Sequence, residues 1–289
     1  MSQPKVWLVT GTSSGLGRAV TEYVLEKGDI VVATLRKPEA LADLSAKYDS
    51  SKLLVLKLDV KNPGEIKSVF AKVKETFGRL DVVYNNAGYA IVLEAEATPE
   101  DLARDMFEVN FWGLVNISKE AVRFFREENK PGVGGWLLNA SSMVGIAGRP
   151  AMSFYSASKF AVEGFSEALS KELKPEWNIK IGIIAFGNFN TNAVQAISDL
   201  NSQSLPAYKG GIIDTVREAL FSPTGAFSPT KGSDPAKAAR EMYRIANDPE
   251  SPSRVHLLLG ADTIELVKGQ IKQLHEDTEA SEPLAATLV

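Results

Sequence analysis

Val6-Trp7-Leu8-Val9-Thr10-Gly11-Thr12-Ser13-Ser14-Gly15-Leu16-Gly17 is an apolar run that breaks into a glycine-rich turn. The run has the length and character of a buried strand. The residues after the turn, through about Lys27, carry a helical pattern. Strand, glycine turn and helix together make a phosphate-binding reading credible: glycines let backbone approach a pyrophosphate, and a helix N-terminus offers free N–H donors and a positive dipole end. The spacing is G-x-x-x-G-x-G, so it differs from the commoner G-x-G-x-x-G dinucleotide fingerprint. It also lacks the Lys-Ser/Thr ending of a P-loop.

Working outward, the same alternation repeats. Residues 30–35, 53–58, 80–84, 135–140, 180–185 and 254–259 read as strands. Residues 38–48, 63–77, 99–128, 153–173, 235–246 and 261–275 read as helices. Strands that are apolar on both faces, separated by helices, predict a doubly wound parallel α/β sheet of Rossmann type with helices on both faces. One domain is expected over 1–289. In such sheets ligands sit beyond the carboxyl ends of the strands, and the polar clusters at Gly11, Asp59, Asn85, Ser141 and Gly187 all fall there. Residues 191–232 break the pattern and predict a lid or pocket wall. The acidic, then small and aliphatic stretch 277–289 predicts a flexible tail.

The helix expected over 153–173 begins with Phe154-Tyr155-Ser156-Ala157-Ser158-Lys159. Residues four apart stack on one helix face, so Tyr155 and Lys159 point the same way. A free phenol has a pKa of about 10. A nearby ammonium stabilises the phenolate and is expected to lower that value towards the working range, making Tyr155 a proton donor or acceptor. A tyrosine and a lysine at this spacing also form ordinary surface pairs, so the pairing gains meaning only from its surroundings.

Composition narrows the classes. Among 289 residues, 44% are hydrophobic and 24% charged, the balance of a globular domain with a full core. A formal charge of −4 and a pI near 5.5 argue against nucleic acid as the main partner. With no cysteine, disulfides, thiolate catalysis and cysteine-ligated metals are excluded. His256 and His275 are too few for a His-based metal site and are expected at the surface or at helix ends. No secretory leader or membrane span is legible, so a cytoplasmic location is expected.

Four motifs stand in one order: Thr10-Gly11-x-x-x-Gly15-x-Gly17, then Asn85-Asn86-Ala87-Gly88, then Ser142, then Tyr155-x-x-x-Lys159. On these the chain resembles the short-chain dehydrogenase/reductase superfamily, in the branch of 17β-hydroxysteroid dehydrogenases and carbonyl reductases. The resemblance runs from Lys5 to about Thr191 and more loosely to the last helix. It implies that Tyr155 is the general acid and that Lys159 tunes it and holds the nicotinamide ribose. It implies that Ser142 binds the substrate oxygen and that Asn110 helps hold a water beside the lysine. Gly11, Ser13, Ser14, Gly15, Leu16, Gly17, Asp59, Val60, Asn86, Ala87, Gly88, Gly187, Phe189 and Thr191 would line the cofactor. Family members commonly form dimers or tetramers, so a homodimer or homotetramer is expected. One departure is Phe186-Gly187 where the family usually has Pro-Gly. Phe186 is expected to loosen that turn or to set a ring near the nicotinamide.

Cofactor choice is read at the end of the second strand, where an acid selects NAD and a base can meet a 2′-phosphate. Thr34-Leu35-Arg36-Lys37 has no carboxylate before Glu39, and Arg36 is placed for bidentate phosphate binding. NADP(H) is therefore expected over NAD(H). The substrate expected is a mostly hydrophobic ketone or aldehyde, or the matching alcohol, beside Met152, Phe154, Phe186, Phe189, Tyr208, Phe221 and Phe227. An NAD-linked alcohol or hydroxysteroid dehydrogenase is the neighbouring alternative. A non-catalytic dinucleotide-binding sensor or scaffold is the alternative from another class.

Overall fold

The computed structural model describes residues 3–191, 204–222, 225, 232–248 and 255–288. Its strands are β1 (Val6–Thr10), β2 (Ile30–Leu35), β3 (Leu53–Lys57), β4 (Val82–Asn85), β5 (Gly135–Ser142), β6 (Ile179–Phe186) and β7 (His256–Leu259). They form a seven-stranded sheet in the order β3-β2-β1-β4-β5-β6-β7, and every pairing is parallel. The central strands are buried along their whole length; β1 and β4 expose no residue. That is why their sequences run apolar without alternation.

Helices cover both faces. Helices α1 (Gly15–Glu26) and α2 (Ala42–Lys47) lie on one side with a core that includes Trp7, Val9, Val24, Leu41 and Leu44. Helix α3 (Pro63–Phe77) packs on the other with Leu8, Phe70, Phe124 and Leu137. Asn62 caps α3 by accepting from the Gly64 and Glu65 amides, and Pro63 follows it at the first turn.

The expected helix over 99–128 is α4 (Glu100–Phe107) and α5 (Leu114–Glu127), joined through a π-helical turn at Glu108–Gly113. Such turns interrupt the i→i−4 ladder and cluster at functional sites; this one carries Asn110. Helix α6 (Ser153–Glu172) follows β5. The expected helix over 38–48 divides into a 3₁₀ turn at Pro38–Leu41 and α2. In the expected lid, the helix-like piece 193–200 and Phe227 lie outside the described residues, while 212–220 is α7 (Ile212–Phe221). Helix α8 (Pro235–Asn247) starts at Asp234, whose carboxylate accepts from the Ala236 amide.

The carboxyl-terminal stretch expected as a tail is helical through Ala285. Helix α9 runs from Ala261 to Ala285, past the expected end at His275. Most of its distal part is exposed, so it lacks the buried apolar stripe from which a helix is read in sequence. No helix among the described residues is long and apolar enough to cross a membrane.

Candidate active site

Strand order reverses beside β1: the chain runs out to β2 and β3, then returns to β4 on the other side. This is the switch point at which open α/β sheets form their crevice. The two strand ends interlock there. Thr10 Oγ1 accepts from the Asn86 and Ala87 amides, both at 3.0 Å. Asn86 Nδ2 donates to the Thr10 carbonyl at 2.9 Å and to the Gly11 carbonyl at 3.2 Å. A Cβ on Gly17 would stand 2.5 Å from Asn86 Nδ2 and from the Gly11 oxygen, and Gly11 itself has φ +69°. Only glycine lets α1 start this close to the β4 loop.

The start of α1 has no side-chain cap at Ser14 and no acidic residue in its first turn. Its first-turn amides and positive dipole end are therefore left without a side-chain partner where β1 ends. A glycine cradle and an uncapped helix start fit the pyrophosphate of a dinucleotide. Ser13 and Ser14 are exposed there, while Gly15 and Leu16 are half-buried. A Cβ on Gly15 would lie 3.3 Å from Thr191 Cβ, so Thr191 closes over the turn.

The side chains expected to handle protons gather at the end of β5 and on α6. Ser142 is the last residue of β5, paired with Phe186 of β6. Its hydroxyl donates to the Phe186 carbonyl at 3.5 Å and accepts from the Val144 amide at 3.4 Å. Both contacts are long, which leaves the hydroxyl free to turn to a ligand oxygen. Lys159 Nζ donates to the Ala140 carbonyl at 2.8 Å and lies 5.9 Å from the centre of the Tyr155 ring.

The expected lowering of the Tyr155 pKa is not present in this geometry. Burial raises the phenol above its ordinary value, and only Ser142 acts to lower it. Lys159 points to Ala140 instead, and burial brings its own pKa down to about 8.

Asn110 is wholly buried on the π turn. Its Oδ1 accepts from the Tyr89 amide at 3.0 Å, and its Nδ2 donates to the Tyr89 carbonyl at 2.8 Å and to Ser158 Oγ at 3.2 Å. Ser158 in turn donates to the Tyr155 carbonyl at 2.8 Å. The side chain is thus a clamp between the loop after Gly88 and the first turn of α6. A row of buried polar side chains deeper in the sheet supports the same edge: Asn85 Nδ2 donates to Asn139 Oδ1 at 2.9 Å, and Asn139 Nδ2 to Ser166 Oγ at 2.8 Å.

Arg36 is exposed just beyond β2. It lines an open cleft of about 450 Å³ with Lys57, Asp59, Lys61, Asn62, Pro63 and Glu65. Lys61 is held by Asp105 at 2.7 Å. Val60 is buried against Gly113 of the π turn. Phe186 does not stand open to solvent: its ring is buried and meets Phe189 edge-on at 5.6 Å, inside the core. Nor is the turn loose, because the Gly187 amide donates to Leu259 and Asp262 braces the next residue. Asp262 Oδ2 accepts from both the Asn188 amide and its side chain at 2.8 Å.

Asp262 is a site-shaping residue that no motif marks, since it acts across 74 positions of sequence. Glu94 is another. Buried at 2% exposure, it holds Ser204 at 2.7 Å, the Leu205 amide at 2.6 Å and Arg217 at 2.9 Å, tying the segment from Ser204 through α7 to the loop after β4.

The sheet order, the glycine cradle and the Ser142-Tyr155-Lys159 edge define a nucleotide-binding oxidoreductase scaffold. The family model for short chain dehydrogenase matches residues 5–201, and the chain belongs to that family, whose members bind a nicotinamide dinucleotide. It is 37% identical over 284 residues to an uncharacterized oxidoreductase of Schizosaccharomyces pombe, covering 97% of this chain and 90% of that one. A crystal structure of a short-chain dehydrogenase from Streptomyces avermitilis superposes with a TM-score of 0.83 at 32% identity, covering 99% of both chains. The NADPH-dependent 1-acyldihydroxyacetone phosphate reductase of Saccharomyces cerevisiae is 32% identical over 183 residues, 62% of this chain and 60% of that one.

Proposed function

We propose that this oxidoreductase transfers a hydride from NADPH to the carbonyl carbon of a mostly hydrophobic ketone or aldehyde, and runs the reverse alcohol oxidation. The observation that carries the reading is the meeting of Ser142, Tyr155 and Lys159 at the carboxyl edge of β5, beside the glycine cradle. A bound nicotinamide supplies the hydride. Ser142 donates a hydrogen bond to the substrate oxygen and stabilises the charge that grows there. Tyr155 gives its proton to the same oxygen. Lys159, its ammonium 5.9 Å from the ring centre, supplies positive charge near the phenolate that forms.

Apolar side chains flank the tyrosine: Val92, Met143, Met152, Ile213 and Leu220 form one buried cluster, with Tyr155, Tyr208 and Phe221 packed against it. Water is therefore kept from much of the tyrosine's surroundings, which favours a hydrophobic substrate. Arg36, exposed in a cleft whose lysines are paired with Glu65 and Asp105, supports NADPH over NADH, and the yeast reductase with that cofactor in its name agrees. Trp112 and Phe160, 49% and 45% exposed, sit on the π turn and α6 and support a homodimer or homotetramer through those helices. The test of the reading is consumption of NADPH and of NADH, side by side, with a panel of ketones and aldehydes. Turnover of apolar carbonyls with NADPH supports it; no turnover with any carbonyl contradicts it.

A further inference from the structure

Helix α6 places a third ionisable side chain in register with Tyr155 and Lys159. Glu163 is the next residue four along, on the same helix face. It is 8% exposed, and neither carboxylate oxygen has a well-directed hydrogen bond. On its far side, His256 Nε2 approaches one oxygen at 3.1 Å. His256 opens β7 at the edge of the sheet, with its side chain 44% exposed. Ser141 lies between this acid and the catalytic edge: its hydroxyl and the Lys159 Cβ both border Gly145, at 2.7 and 2.9 Å from where a Cβ would stand. The groups thus run in a line from Tyr155 through Lys159 and Glu163 to an imidazole in contact with water.

A largely buried carboxylate is costly unless charges or hydrogen-bond donors offset it, and those near Glu163 are His256 at 3.1 Å, Ser141 and Lys159. We propose that Glu163, with His256 behind it, is a positioning residue for the reaction: it supplies the counter-charge that keeps the buried Lys159 an ammonium, and it couples that charge to a solvent-facing imidazole. The inference rests on the assignment of Tyr155 and Lys159 to the chemistry.

The groups that act on Glu163 divide by element. From α6 comes Lys159, from β5 the Ser141 hydroxyl and from β7 His256, and all of them favour its charged form against the burial that raises its pKa. Glu167, one turn further along α6, also feels His256. In return Glu163 raises the pKa of Lys159 against the burial that lowers it to about 8. Each charge is therefore propped by the other. Loss of the acid leaves Lys159 to burial alone, and its proton affinity falls.

The test reads Lys159 directly rather than through turnover. The lysine side chains are labelled with carbon-13 and followed by NMR over a pH titration of the full chain, with Lys159→Met identifying the signal. Glu163→Gln is expected to weaken proton binding by Lys159 at least about tenfold, which is one pH unit or about 1.4 kcal/mol. His256→Gln, at a side chain 44% exposed, is expected to shift it in the same direction by less. A folded Glu163→Gln whose Lys159 titrates as in wild type overturns the proposal. If Glu163→Gln does not fold, an unmoved Lys159 titration in His256→Gln overturns it instead. A merely structural Glu163 would lower the melting temperature and leave the titration in place. Because no substrate is used, the result stands apart from the catalytic assignment, which fails separately if Tyr155→Phe remains active.

Discussion

Lys159→Met measures what the buried ammonium costs the fold. The side chain is 5% exposed, and burial takes its pKa from 10.5 to about 8. A lysine with a lower pKa in the folded state than in the unfolded state holds its proton less tightly when folded. Stability therefore rises with pH wherever the unfolded chain binds more protons. Here that window runs from about 8 to 10.5: the cost is present in full below it and gone above it. The gap is worth about 3 kcal/mol at 1.36 kcal/mol per pH unit. Methionine also gives up the bond from Nζ to the Ala140 carbonyl, worth about 1 kcal/mol. The variant should be more stable than wild type by about 2 kcal/mol near neutral pH. By a pH of about 10 the gain should vanish or reverse. Urea midpoints of the two proteins, compared at each pH so that other titrations cancel, give the answer. A stability difference that stays constant across the window would refute the reasoning.

Three further outcomes follow from the geometry. Gly17→Ala puts a Cβ 2.5 Å from Asn86 Nδ2 and the Gly11 carbonyl, and should lower the melting temperature and abolish NADPH binding in calorimetry; unchanged binding contradicts the cradle. Arg36→Ala should erode a preference for NADPH over NADH by about tenfold or more, since charge-assisted hydrogen bonds are worth about 1.5–3 kcal/mol each. The loss should appear in KM rather than kcat, because the contact is remote from the hydride; full retention of discrimination contradicts the phosphate clamp. Asn110→Ala strips both the amide and carbonyl partners of Tyr89 and should cost about 2 kcal/mol or more of stability, with less than about 0.5 in denaturant unfolding counting against the clamp.

Much of this was legible in the sequence because the fold is written locally. An unalternating apolar strand, a glycine turn and an amphipathic helix each declare themselves within a dozen residues, and repeating them predicts the parallel sheet. The helix spacing of Tyr155 and Lys159, and the position of Ser142, needed only the family order of motifs. What escaped depends on contacts between distant segments. Asp262 braces the Asn188 turn from the start of α9, so the turn holds without its usual proline. The direction of Lys159, towards Ala140 rather than the phenol, is set by where β5 ends beneath α6. Glu163 reads as one more polar helix residue until β7 brings His256 to it. The distal part of α9 escaped for another reason: it is held by neighbouring pairs such as Lys272 with Glu276 at 3.7 Å, and such pairs leave no apolar period to detect.

The central claim is that Tyr155 delivers the proton when a carbonyl is reduced. Tyr155→Phe keeps the ring in its apolar setting and removes only the hydroxyl. The direct measurement is single-turnover oxidation of bound NADPH by a carbonyl that the wild-type enzyme reduces, with cofactor affinity measured in parallel. NADPH binding should be unchanged and the reduction rate lower by about 10² to 10⁴-fold, the usual contribution of a general acid. A variant that binds NADPH and keeps more than about half of the wild-type rate, against that same benchmark, would contradict it.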